Sequence, residues 1–176
     1  VSRSTAWPVV SAAEYHQPAL FVVENVIDFI KWKLYKAWCA SMHALGYCLT
    51  PMIADAADHG VPQHRPRLFI VGVRAKHPLM INLEKREHVT AGSFVDFDSG
   101  NWQPVEGHVP ATLRRVAAGR ASFGERFLMP YYGSGSGLTG RSLHRPVGTI
   151  TTRDRWAVVD RDRMRMLTKG ECRAAM

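Results

Sequence analysis

The stretch Gly60-Val-Pro-Gln-His-Arg-Pro-Arg-Leu-Phe-Ile-Val-Gly-Val73 joins a stiff polar segment to an apolar run. Pro62 and Pro66 keep residues 60–67 out of a helix, since proline lacks an amide donor and biases the residue before it toward extended backbone. Leu68, Phe69, Ile70, Val71 and Val73 then predict a strand over Arg67 to Arg74. Working outward, Leu20-Phe-Val-Val23 is a second unbroken apolar run, of the kind a buried parallel strand shows, and it ends in Glu24-Asn25-Val26. Tyr47 to Ile53 is a third strand candidate. Between them Ile27, Ile30, Leu34, Trp38, Met42 and Leu45 recur at helical spacing and predict one helix, with Gly46 as its stop. Ala6 to Tyr15 reads as a short helix. Strand, helix, strand, loop, strand is the pattern of the later half of a doubly wound α/β sheet ending in a hairpin.

From about His77 to Trp156 the character changes. Glycine and proline become frequent, and long periodic runs vanish apart from a short helix predicted from Pro110 to Ala118. Irregular strands and loops of this kind suit a recognition module on a rigid scaffold. We therefore divide the chain into an α/β part over residues 1–80, a mostly β module over 81–160, and a final segment, 161–176, that turns helical. Thr168-Lys-Gly-Glu171 has the spacing of a capping box. So short a helix must pack on something to persist, which leads us to expect a truncated chain.

The net charge of +8 is unevenly placed. Residues 1–110 hold ten Lys/Arg and ten Asp/Glu, whereas residues 111–176 hold thirteen basic and five acidic residues, twelve of the basic ones Arg. Arginine suits bidentate contacts to phosphate and guanine, so this segment points to a polyanionic partner as well as to a plain solvated surface. No apolar run approaches a membrane span and no export signal is visible at the N-terminus. Three widely spaced cysteines, Cys39, Cys48 and Cys172, suit a reducing cytosol and offer neither a disulfide framework nor a zinc site.

Glu24 closes an apolar strand, where a carboxyl sits at the ligand-binding edge of an open α/β sheet; the helix macrodipole alone would also favour it there. Asn25 reads equally as a helix N-cap. Gln63, Arg65 and Arg67 alternate, so one extended strand would point all three the same way. Gly135-Ser-Gly-Leu-Thr-Gly140 matches a dinucleotide fingerprint in letters, but Pro130 and Pro146 flank it and no helix follows. Beside Tyr131 and Tyr132 it fits close backbone approach to phosphates, or a plain loop. Thr149-Ile-Thr-Thr-Arg-Asp-Arg-Trp156 mixes groups able to read base edges with the pattern of an edge strand. The five tryptophans read as core or interface residues.

Glu24-Asn25-Val26 followed some forty residues later by Gln63-x-Arg65-x-Arg67 resembles two consecutive motifs of the DNA cytosine-C5 methyltransferases. Further matches are Arg145-Pro-x-x-Thr-Ile-Thr-Thr-x-Asp-Arg, similar to the end of the family's target recognition domain, and Arg165-x-Leu-Thr-x-x-Glu171, similar to the motif that packs that domain on the catalytic core. One departure is Ala174, where many relatives carry Arg; Arg173 precedes it. The resemblance implies a Rossmann-like half sheet plus a small, irregular target recognition domain. It implies that Glu24 activates an extruded cytosine, Arg67 donates to its O2, Arg65 and Gln63 support the site, and Asn25 holds the nucleophile's loop. It places DNA contacts at Tyr132, Gly133, Arg141, Thr151, Thr152, Arg153 and Arg155. The methyl donor would be S-adenosylmethionine and the partner double-stranded DNA, with action in the cytoplasm.

The chain has no Pro-Cys dipeptide and no Gly-rich donor loop where the family carries them, so it reads as the base-gripping and DNA-recognition portion of such an enzyme, inactive alone. Its missing N-terminal half would lie on the same polypeptide or on a separate chain. The competing readings are one subunit of a split methyltransferase, a non-catalytic DNA-binding module, and an RNA-binding α/β domain.

Overall fold

The computed structural model describes residues 3–131, 140–151 and 156–176. Two compact units divide them: the first comprises residues 1–55 and 66–84, the second residues 56–65 and 85–176. The short stretch 56–65 thus belongs with the second unit, although it lies inside the segment that composition alone groups as 1–80.

The first unit is a three-stranded sheet with helices on one face. Strands β1 (Leu20–Asn25), β2 (Cys48–Asp55) and β3 (Pro66–Val73) lie in the order β1-β3-β2, and β3 is antiparallel to both neighbours. The expected buried parallel strand is therefore not realised in β1: its one described neighbour runs the other way, and Leu20 and Val22 are exposed. Phe21 and Val23, on the opposite face, pack with Leu68, Ile70 and Leu49 against helices α1 (Trp7–His16) and α2 (Tyr35–Ala44). Gly72 pairs with Phe21, whose ring lies across it; any side chain at 72 would collide with that ring.

The helix expected over 27–45 is broken. A 3-10 turn spans Ile27–Lys31, Trp32 is extended, and α2 begins only at Tyr35. The reason is aromatic packing. Phe29 stacks on Trp32 at 5.6 Å and meets Tyr35 and Trp38 edge-on at 5.5 and 5.8 Å, an arrangement that one continuous helix does not make. Ile30 and Leu34, which helical spacing would bury, are exposed instead. At the other end the reading holds: Gly46, at φ 86°, takes the left-handed conformation that ends α2 and leads into β2.

The second unit is built on a four-stranded antiparallel sheet, order β4-β7-β6-β5, from β4 (Gln103–Pro104), β5 (Arg126–Pro130), β6 (Trp156–Asp160) and β7 (Arg163–Met166). Every residue of β6 is buried, because the sheet is covered on both faces. One face carries Leu128, Val158, Trp156 and Leu167; the other carries Phe127, Met129, Val159 and Met164 under helix α3 (Pro110–Phe123). This helix runs five residues past the expected Ala118. Gly119 permits its close approach, since a side chain there would strike the Phe127 ring. Helix α4 (Lys169–Ala174) starts with the expected capping box between Thr168 and Glu171. Among the described residues no helix is long and apolar enough to cross a membrane. The tryptophans serve packing: Trp38 and Trp156 are core residues, and Trp7, Trp32 and Trp102 pack against the clusters.

Candidate functional site

In the first unit, pairing of β1 with β3 sets Glu24 opposite Phe69 and Asn25 opposite Leu68. Glu24 therefore stands beside Arg67, two residues from its partner on β3. The two side chains meet, with Nε of Arg67 2.9 Å from Oε1 of Glu24. Arg67 is 19% exposed and Glu24 52%, so the guanidinium is the braced partner and the carboxylate the presented one. Arg67 is braced further by its Nη1, which donates to the Pro66 carbonyl at 2.9 Å. Asn25 turns its Oδ1 back to accept from the Val26 amide at 2.8 Å, which orders the exit from β1.

Gln63 and Arg65 belong to the second unit, and the three alternating residues do not form one strand: β3 begins only at Pro66. Gln63 is buried and its amide is committed on both sides. Its Nε2 donates to the Ala175 carbonyl at 3.1 Å, and its Oε1 accepts from the Ile150 amide at 3.0 Å. The backbone reinforces this link. His64 donates to the Val147 carbonyl at 2.7 Å, Val147 to the Pro62 carbonyl at 3.0 Å, and Thr149 Oγ1 to the His64 carbonyl at 2.8 Å. Gln63 thus ties residues 147–150 to the end of the chain. Arg65 is half-buried, and its carbonyl accepts from the Ala56 amide.

The last motif carries a buried ion pair. Arg165 and Glu171, 1% and 4% exposed, form a two-pronged pair with both bonds at 2.7 Å. Glu171 also accepts from the amides of Thr168 and Asp96, at 2.7 and 2.8 Å, and Arg165 donates to the Asp96 carbonyl at 2.6 Å. Burial pushes the Glu171 carboxyl up, but these bonds outweigh it and leave the group below the usual carboxylate range. Glu171 and the Ala175 carbonyl thus hold the last turn of the chain within the second unit.

The basic segment is less free than its charge suggests. Asp160, 3% exposed, is gripped by Arg126 at 2.8 Å and Arg163 at 2.7 Å. Those two guanidiniums lie over the Phe97 and Trp102 rings at 4.5 and 4.4 Å. Burial raises the Asp160 carboxyl and the two arginines more than reverse it, so it too lies below its ordinary range. Arg120 bonds Asp162 at 2.9 Å. With Arg165, four arginines of this segment therefore serve carboxylates of the fold.

Of the expected DNA contacts, Tyr132, Gly133, Thr152, Arg153 and Arg155 lie outside the described residues. Thr151 is exposed. Arg141 is exposed and lines a cleft of about 580 Å³ with His64, Phe123, Ser142, Arg145, Pro146 and Gly148. The sequence reading did not single out His64, Phe123, Ser142 or Arg145, which line this cleft. His64 and Arg145 sit inside the quoted motifs and were within reach of it; Phe123, at the end of α3, carries no such signal.

The family model for C-5 cytosine-specific DNA methylase matches residues 2–106, more than half of the chain. The type II methyltransferase M.AgeI of Thalassovita gelatinovora is 35% identical over 68 residues, covering 37% of this chain and 16% of that protein. M.AquIA, a type II methyltransferase of a Picosynechococcus species, is 40% identical over 68 residues, covering 32% of this chain and 27% of that protein. Among solved structures, the S. pombe Dnmt2 methyltransferase is 12% identical, with a TM-score of 0.45 over 85% of this chain and 50% of that one. The matches span less than a third of these two relatives' length. The chain belongs to the C-5 cytosine-specific DNA methylase family.

Proposed function

We propose that this chain is the target-cytosine and DNA-recognition portion of a DNA cytosine-C5 methyltransferase. The observation that supports the reading best is the Glu24–Arg67 contact at the end of β1, in a chain of this family. A cytosine lifted out of the duplex offers a ring N3 and an exocyclic amine on one edge and a carbonyl O2 beside them. Glu24 accepts from the exocyclic amine through one carboxyl oxygen and, once protonated, donates to N3 through the other. Arg67 Nε on Oε1 fixes the plane of that carboxyl group, and its guanidinium donates to O2. Gln63 acts by positioning, since both ends of its amide are spent within the second unit.

The methyl donor of the complete enzyme is S-adenosylmethionine. The described residues do not fit it, because such ligands sit at glycine-rich turns between a strand and a helix. The turn after β1 is Asn25-Val26-Ile27, Gly46 follows a helix, and Gly72 lies under Phe21. Donor pocket and cysteine nucleophile would come from elsewhere in the enzyme, on the same polypeptide or on a second one, and this chain supplies the grip on the base. Residues 85–176 serve as the recognition module on double-stranded DNA, in the cytoplasm, as part of a restriction-modification system.

Two measurements test the reading. The purified chain, incubated with DNA and labelled S-adenosylmethionine, should transfer no label. In a complete enzyme carrying these residues, Glu24→Gln should leave DNA binding intact and slow methylation about 10²–10⁴-fold, the usual worth of acid–base assistance. Methylation at an unchanged rate in that variant would overturn the role given to Glu24.

A further inference from the structure

We propose that the cleft lined by His64, Phe123, Arg141, Ser142 and Arg145 binds one nucleotide unit of a DNA strand, its phosphate on the two arginines and its base against Phe123. This rests on the DNA reading above and adds a site built from residues of the second unit alone.

The lining is cationic and aromatic. Among the described residues it holds two arginines and a histidine and no carboxylate. The contrast with four other arginines of this unit carries the argument. Arg120, Arg126, Arg163 and Arg165 are each bonded to an acidic side chain. Arg141 instead spends one nitrogen on the Gly140 carbonyl, and the Arg145 guanidinium makes no bond among the described residues. Two arginines facing one cleft, with no counter-ion among the described residues, match the paired oxygens of a phosphodiester.

The walls are also held in place. Arg141 exchanges two backbone bonds with Leu128 of β5, at 2.7 and 2.9 Å. The Arg145 carbonyl accepts from the Ala91 amide at 2.9 Å. His64 is fixed at both its amide and its carbonyl by Val147 and Thr149. Phe123, 39% exposed, lies over Gly140, where a Cβ would come within 2.9 Å of both the Phe123 and Phe127 rings. An exposed aromatic face seated against the glycine backbone is a stacking platform for a base. A cleft of about 580 Å³ has room for a nucleotide.

Fluorescence anisotropy with labelled duplex and single-stranded DNA, titrated between 50 and 200 mM salt, tests this on the full chain. Arg141→Ala and Arg145→Ala should each lower the slope of log affinity against log salt by about 1. Phe123→Leu should weaken binding about tenfold and leave that slope unchanged, because stacking releases no counter-ions. Arg145→Lys should retain the slope with reduced affinity. Arg114→Ala, on the exposed face of α3, is the control that changes neither, and unchanged urea midpoints certify that each variant is folded. If the parent chain binds and both alanine variants keep its slope, the cleft assignment falls while the DNA reading stands. If the parent binds neither duplex nor single strand, both fall. If RNA of the same sequence binds more tightly with the same dependence on Arg141 and Arg145, the DNA occupant is wrong.

Discussion

Replacing Glu171 by Ala should damage the second unit more than its small change in size suggests. The carboxylate receives two bonds from Arg165 and one each from the Thr168 and Asp96 amides. Its removal strands the Arg165 guanidinium, whose side chain is 1% exposed and whose Nε already has no partner. Breaking a buried pair by deleting one member costs about 3–5 kcal/mol, chiefly through the charge left unpaired. Gly100 sharpens the effect: at φ 86° it lies against the Arg165 side chain, so the arginine has little room to retreat. Urea unfolding followed by tryptophan fluorescence is the direct assay, because the Trp102 ring lies 4.8 Å from the Arg165 guanidinium. The double variant Arg165→Met, Glu171→Leu should recover most of the loss, since an apolar pair of similar volume often equals a buried ion pair. A loss under about 1 kcal/mol in Glu171→Ala, or a double variant as unstable as the single, would refute the claim that an unpaired charge sets the cost.

Gln63→Leu should destabilise the second unit by about 2–4 kcal/mol, because it orphans the Ile150 amide and the Ala175 carbonyl together; a urea midpoint within error of the parent would contradict that. Gly148→Ala would place a Cβ 2.7 Å from the Trp156 ring, with an expected loss of about 1–3 kcal/mol and a shifted tryptophan emission; an unmoved spectrum at full stability speaks against it. For pH, Asp160 and Glu171 both titrate below their ordinary range when folded. Depressed carboxylates contribute stability that is complete above the unfolded-state value of about 4 and is lost as pH falls through the folded one. The urea midpoint should thus hold from neutrality to about pH 5 and decline below about 4, less steeply in Asp160→Asn; equal slopes in variant and parent would rule out Asp160 as a contributor.

Local signals determined a good deal. Apolar runs marked β1, β2 and β3 to within a residue or two, Thr168 and Glu171 marked the start of α4, and motif spacing marked Glu24 and Arg67 as a pair to compare. These are readable because strand alternation, helix caps and proline restrictions act within a few residues of the chain. What only the tertiary structure decided depends on partners far apart in sequence. The helix expected over 27–45 broke because four aromatic rings pack better across a break than along one helix. The neighbour of β1 became antiparallel because β3 lies between β1 and β2. Gln63 met Ile150 and Ala175, and Asp160 drew Arg126 and Arg163 into ion pairs of the fold. Composition counts every arginine alike, and a charge turns inward or outward only when the fold brings a buried carboxylate within reach.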